Sequence, residues 1–176
     1  YLIAEGDSNL FVDDVLNVKD VKDFTLLTSS NDGAMALASI ADKEIKKKQI
    51  PEINEFIDAM NETANQIGLL NSKFFNEHGL DREVDRGGAY GTAKDMATLF
   101  EYALKNHPEI LEATRYKNLN FASATHTYSA DNTNSFINQI PNVLASKTGF
   151  TDLAQGNLVI AYDLGLNRPI IISVLG

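Results

Sequence analysis

Cysteine is absent from the 176 residues, which excludes disulfides and thiolate metal sites. Histidine is scarce. His78, His107 and His126 stand apart, with no His-x-x-x-His pair and no carboxylate cluster at ligand spacing, so neither a metal nor a cofactor is expected. His78, in a Gly-rich segment, reads as a turn residue rather than a general base. Basic charge is also short: 15 Lys and Arg face 24 Asp and Glu, a net charge of -9. A surface that holds nucleic-acid phosphates or anionic lipid needs clustered cations, so neither partner is expected. The one basic run, Lys46-Lys47-Lys48, is too small a block for a binding patch and reads as a solvated helix end. No apolar run approaches the ~20 residues that span a bilayer. Phosphate-binding glycine loops, a Gly-x-Ser-x-Gly elbow and internal repeats are missing as well.

What is present is a composition with 44% hydrophobic residues, enough to bury one core, and the expectation is a single domain over 1–176. Tyr1-Leu2-Ile3-Ala4-Glu5 has neither an initiator methionine nor a signal-peptide pattern, and the chain stops directly after a strand-like run. A fragment of a longer precursor is therefore expected.

Helices are expected first. Val15 to Leu27 reads as a short helix leading into Thr28-Ser29-Ser30-Asn31, and Ala34, Leu37, Ala38, Ala41 and Ile45 carry helical spacing onward from Asp32. Lys43 to Gln49 reads as a small insertion between helices. Pro51 suits a first helical turn, with Ile53, Phe56, Ile57, Met60, Ala64 and Ile67 forming an apolar stripe that ends at Gly68. Residues 71–91 read as an irregular surface connection punctuated by glycines. Thr92 and Asp95 have capping-box spacing ahead of Met96, Leu99, Phe100 and Ala103, and Pro108 opens another short helical segment. Strands follow at 118–122, 143–146, 157–163 and 169–175, with 164–168 as a hairpin connection. This order predicts an α+β fold, a helical lobe over about 13–115 against a sheet portion over about 118–176, with a cleft between them.

Two short motifs carry chemistry. Lys147-Thr148-Gly149, read as standing at the head of a strand, combines a fixed positive charge, a hydroxyl donor and a residue with no side chain to block an extended ligand. That set suits a peptide carboxylate, and the backbone N–H of Phe150 is placed to serve as an oxyanion donor. Ser29-x-Asn31 by itself is compatible with ordinary helix capping. In a cleft, the same residues pass a proton through the Ser29 hydroxyl and hold a carbonyl with the Asn31 amide.

With both motifs stand Leu26-Leu27-Thr28-Ser29-Ser30-Asn31-Asp32, Phe56-Ile57-Asp58-Ala59-Met60-Asn61, Asn76-Glu77-His78-Gly79-Leu80-Asp81, Thr92-Ala93-Lys94-Asp95-Met96-Ala97, Asn132-Thr133-Asn134 and Lys147-Thr148-Gly149-Phe150-Thr151. In order and spacing, this text resembles the serine D-alanyl-D-alanine carboxypeptidases of the low-molecular-mass penicillin-binding proteins, peptidase family S11, over nearly the whole chain. The resemblance implies a β-lactamase/DD-peptidase-like fold and acyl transfer on peptidoglycan stem peptides ending in D-Ala-D-Ala, inhibited by β-lactams. It also implies an extracytoplasmic site in a bacterium; a membrane anchor on the parent protein stays open. Carried over by position, Ser29, Asn31 and Lys147 are the catalytic residues, and Lys147, Thr148, Gly149 and Phe150 are the substrate-binding ones. The family's third motif, a Ser-x-x-Lys with the nucleophile, has no counterpart, since no serine in the chain has lysine three residues later. The nucleophile is expected upstream of Tyr1. A further departure is Ala154-Gln155-Gly156, where the family usually shows Ala-Gly after the last motif. Two alternatives stay open: a cleft that binds peptide without acylating, and a serine β-lactamase.

Overall fold

The computed structural model describes residues 10–11, 13–49 and 55–176. Helix α1 is Val18–Thr28, capped by the Asn17 side chain, which accepts from the N–H of Asp20. Helix α2, Asn31–Lys48, starts one residue after Ser30, whose hydroxyl oxygen accepts from the N–H of Gly33. Lys46, Lys47 and Lys48 form its last turn, where cations meet the carbonyl end of the helix dipole. The expected insertion at Lys43 to Gln49 is thus the end of α2, closed by Gln49 at φ 47°. Helix α3 is Phe56–Gln66, and Gly68 at φ 85° turns the chain away from it. Pro51 and Ile53, expected in the same helix, lie outside the described residues.

A two-residue ladder pairs β1, Lys73–Phe74, with β2, Ala89–Tyr90. Helix α4, Ala93–Asn106, is capped by Thr92, whose hydroxyl accepts from the N–H of Asp95. The short helix α5, Pro108–Leu111, continues as a 3-10 turn over Glu112–Arg115. Strands β3, Asn118–Ala122, and β4, Thr127–Asp131, form one antiparallel hairpin. A separate antiparallel sheet has the order β5-β6-β7, made of Val143–Thr151, Gln155–Asp163 and Pro169–Val174. The fold is of the α+β class.

Two apolar clusters hold these elements. Phe24 and Leu27 of α1 pack on Phe121, Tyr128 and Ala130 of the β3–β4 hairpin. Phe100 of α4 and Leu111 of α5 pack on Ala145, Val159 and Ala161 of the three-stranded sheet. Burying each large side chain of this kind stabilises the fold by roughly 1.5–3 kcal/mol. The first cluster fixes the C-terminal end of α1 and the second fixes β5, the elements that carry the two motifs. Among the described residues, no helix is long and apolar enough to cross a membrane.

The turn from α1 into α2 depends on Gly33. A Cβ added there would fall 2.0 Å from Thr25 Oγ1, a hydroxyl that already donates to the Val21 carbonyl at 2.6 Å. Gly33→Ala is expected to destabilise the fold by about 1–3 kcal/mol through overpacking, read as a lower denaturation midpoint. An unchanged midpoint would show that Thr25 rotates aside without cost.

Candidate active site

Ser29 and Ser30 divide two roles that the sequence leaves together. Ser30 is buried and spends its hydroxyl on capping α2. Ser29 is exposed and occupies the left-handed region at φ 58°, ψ 40°, its N–H returning to the Thr25 carbonyl. That is the conformation in which helices commonly end, and Gln49 closes α2 in the same way. Ser29 thus closes α1 with its backbone N–H while Ser30 opens α2 with its hydroxyl, and the Ser29 hydroxyl takes no part in either cap. Asn31, half-buried, is the first residue of α2.

Lys147, Thr148, Gly149 and Phe150 lie within β5 rather than at its head, because the strand begins at Val143 and continues to Thr151. Pairing with Val159, Leu158, Asn157 and Gly156 of β6 keeps this polar segment extended. No strand among the described residues pairs with the other edge of β5. Across that edge, Lys147 Nζ donates to Ser29 Oγ at 2.7 Å and to the Thr148 carbonyl at 2.6 Å. The two motifs, 118 residues apart in sequence, thus meet through one hydrogen bond. Burial lowers the Lys147 ammonium from its ordinary range to about 8, since desolvation penalises the charged form.

Thr148 Oγ1 is 2.6 Å from Thr133 Oγ1. A Cβ added at Gly149 would meet only the Asn157 Cβ, at 3.8 Å, so the packing of the protein does not call for glycine there. The open space beside Gly149 is where a ligand extended along β5 would lie. Phe150 sits opposite Gly156 and is 67% exposed.

Several supporting residues escaped the reading of the sequence. Thr114 is fully buried; its hydroxyl donates to the Leu111 carbonyl and accepts from the N–H of Ser146, the residue before Lys147. The Asn134 amide donates to Ser146 Oγ at 2.8 Å, and the Asn132 amide donates to the carbonyls of Thr114 and Tyr116. This buried polar network sets the height of β5 against the 132–134 segment. Asn132-Thr133-Asn134 stands in the sequence only as part of the family resemblance, with no sign of the partners its two amides take.

Residues 71–91 are more ordered than an irregular surface connection. Asp95, instead of reaching back to the Thr92 N–H as a capping box would, accepts from Asn71 N and Ser72 Oγ. Asp81 accepts from Thr151 Oγ1 and from Leu153 N, both at 3.1 Å, which docks the segment onto the end of β5 and the turn beyond it. Gly88 permits the close packing inside, because a Cβ there would fall 2.2 Å from the Leu80 carbonyl. His78 Nδ1 accepts from the Leu80 N–H, the structural turn role expected of it. The altered turn at Ala154-Gln155-Gly156 puts Gln155 at φ 53°, with its amide donating to the Asp152 carbonyl.

A groove of about 830 Å³ between α4, α5 and the β5/β7 side, walled by Leu104, Leu144 and Ile171, contains none of the motif residues. The chemistry of the two motifs lies outside it. Among the described residues, no group of three or more His, Asp or Glu is placed to hold a metal ion.

The family model described as D-alanyl-D-alanine carboxypeptidase, Peptidase_S11, matches residues 4–176. D-alanyl-D-alanine carboxypeptidase DacA of Haemophilus influenzae is 30% identical over 172 residues, covering 96% of this chain and 40% of the relative. DacC of Escherichia coli is 31% identical over 175 residues, covering 97% of this chain and 39% of the relative. The chain therefore spans about two-fifths of the length of these relatives. Among solved structures, a penicillin-binding protein of Listeria monocytogenes with ampicillin bound superposes with a TM-score of 0.75 at 27% identity, over 91% of this chain and 60% of that one. A mutant DD-transpeptidase of Streptomyces gives 0.78 at 25% identity, over 97% and 65%.

Proposed function

Because the chain belongs to the D-alanyl-D-alanine carboxypeptidase family, peptidase S11, we propose that it forms the substrate cleft of an enzyme that removes the terminal D-alanine from peptidoglycan stem peptides. The observation that carries the reading is the 2.7 Å hydrogen bond from Lys147 to Ser29, which joins the two motifs at the open edge of β5. In the reaction, a serine oxygen adds to the carbonyl of the penultimate D-alanine. The peptide bond breaks, terminal D-alanine leaves with a proton on its nitrogen, and water hydrolyses the ester that remains. A β-lactam enters the same cycle and forms an ester that hydrolyses slowly.

The 176 residues contain no Ser-x-x-Lys, so the reading assigns the nucleophile to a part of the gene product outside them. The chain supplies the remaining groups. Lys147 and Thr148 bind the terminal carboxylate, by charge and by hydroxyl donation. Gly149 leaves room for the peptide along β5, and the Phe150 N–H donates to the oxyanion. Ser29 accepts from the Lys147 ammonium, which leaves its own proton to be handed to the departing nitrogen. Asn31, at the start of α2, orients the substrate carbonyl. Peptidoglycan as substrate places the reaction outside the cytoplasm. The test is release of D-alanine from a blocked peptide ending in D-Ala-D-Ala by the full-length gene product: release supports the reading, and intact peptide after prolonged incubation contradicts it.

A further inference from the structure

Resting on the acyl-transfer reading, we propose that Thr133 is a positioning residue that aims the Thr148 hydroxyl and thereby sets the preference for a free C-terminal carboxylate. Thr133 lies between two anchors. Its N–H donates to the carbonyl of Leu27, two residues before Ser29, at 3.2 Å. Its hydroxyl oxygen is 2.6 Å from that of Thr148. It is therefore tied by its backbone to the helix that delivers Ser29 and by its side chain to the strand that carries Lys147. The neighbours hold it there independently of its hydroxyl: Asn132 is bound to the carbonyls of Thr114 and Tyr116, and Asn134 to Ser146. Thr133 is itself exposed, so its hydroxyl is not needed to fill the core.

A hydroxyl has one proton and two lone pairs, so a pair of hydroxyls in contact can run in either direction without moving a heavy atom. With Thr148 donating to Thr133, the Thr148 proton is not available to a ligand. When a carboxylate enters beside Lys147, reversal of the pair lets Thr133 donate to Thr148 while Thr148 donates to the anion. The chain of donors is polarised by the anionic acceptor at its end. A C-terminal amide, being neutral, polarises it less. Thr133 thus sharpens discrimination between a terminal acid and its amide without touching the reacting carbonyl.

The experiment uses the full-length gene product with a blocked L-Lys-D-Ala-D-Ala peptide and the same peptide ending in a carboxamide. Thr133→Val keeps the shape and removes the hydroxyl. It is expected to raise KM for the acid by about 2- to 10-fold, the size of one neutral hydrogen bond, with kcat little changed. The preference for acid over amide should narrow by the same factor. Thr133→Ser restores the hydroxyl and is expected to restore the preference. Turnover by the unsubstituted protein with an unaltered preference in Thr133→Val would overturn the assignment of Thr133 alone, as would a Thr133→Ser variant as defective as Thr133→Val. Absence of turnover by the unsubstituted protein would overturn the acyl-transfer reading and this proposal with it.

Discussion

Ser29→Ala in the full-length gene product is expected to lower kcat for D-Ala-D-Ala peptides by about 100-fold or more, the usual contribution of a positioned proton donor, while KM changes little. The prediction follows from the direction of one hydrogen bond. Lys147 Nζ is the donor and Ser29 Oγ the acceptor, so the Ser29 proton points elsewhere and is made more acidic by the cation behind it. Such a proton matters when the amine leaves, not when the peptide docks, and an interaction made only in the transition state appears in kcat. Ser29→Ala keeps the backbone type at φ 58°, and the exposed methyl leaves the α1–α2 turn as it is. Thermal stability should therefore stay close to that of the parent. A loss in KM alone would give Ser29 a docking role and remove it from proton transfer.

Lys147→Ala is expected to reduce kcat/KM for the peptide, and the rate of acylation by benzylpenicillin, by about 10- to 100-fold, the loss of one charge-assisted contact worth ~1.5–3 kcal/mol. Unchanged rates would remove Lys147 from the mechanism. Its lowered ammonium adds a pH signature. The charged form binds the carboxylate, so kcat/KM should fall as pH rises through about 8. A bound carboxylate favours the charged form, and the corresponding limb in kcat should lie at higher pH. Stability runs the other way. Below about pH 8 the lysine is protonated in both states, and burial of its charge works against the folded one. Between pH 8 and the unfolded value near 10.5, the unfolded chain holds the extra proton, so stability rises with pH. Lys147→Ala should flatten that rise. Weakened activity without weakened folding would separate loss of function from misfolding.

The parts of the fold most legible in the sequence are those with strong local patterns. Met96, Phe100 and Ala103 at helical spacing do line the inner face of α4. The runs before and after Leu164-Gly165-Leu166-Asn167-Arg168 do pair as β6 and β7, with Asp163 Oδ1 accepting from Gly165 N and Arg168 N in the turn. Strand β4 escaped because Thr127–Asp131 buries one aromatic, Tyr128, and one small residue, Ala130, too weak an alternation to stand out. The length of β5 escaped because Lys147 and Gly149 are poor strand formers by themselves and are kept extended by β6. Asp95 has capping spacing, yet its carboxylate found partners more than twenty residues upstream that no local pattern shows.

The site was legible as residue types and less so as geometry. That Ser29 and Lys147 would meet was expected from the resemblance, and the structure brings them to 2.7 Å. That Ser30, not Ser29, spends its hydroxyl on a cap could not be decided from adjacent serines, because it depends on which backbone enters the left-handed region. The tie between Thr133 and Thr148 and the docking of Asp81 on Thr151 join residues 15 and 70 positions apart, and nothing in either local sequence predicts its partner.

Intact-protein mass spectrometry after incubation with benzylpenicillin, on the full-length gene product and on this chain side by side, shows whether a serine is acylated and on which part of the protein it lies. The account predicts a long-lived one-to-one adduct on the full-length protein and none on residues 1–176. Rapid release of hydrolysed penicillin would indicate a β-lactamase, and an adduct on this chain would place the nucleophile among its own serines. No adduct on either would contradict the acyl-transfer account and leave a cleft that binds peptide without reacting.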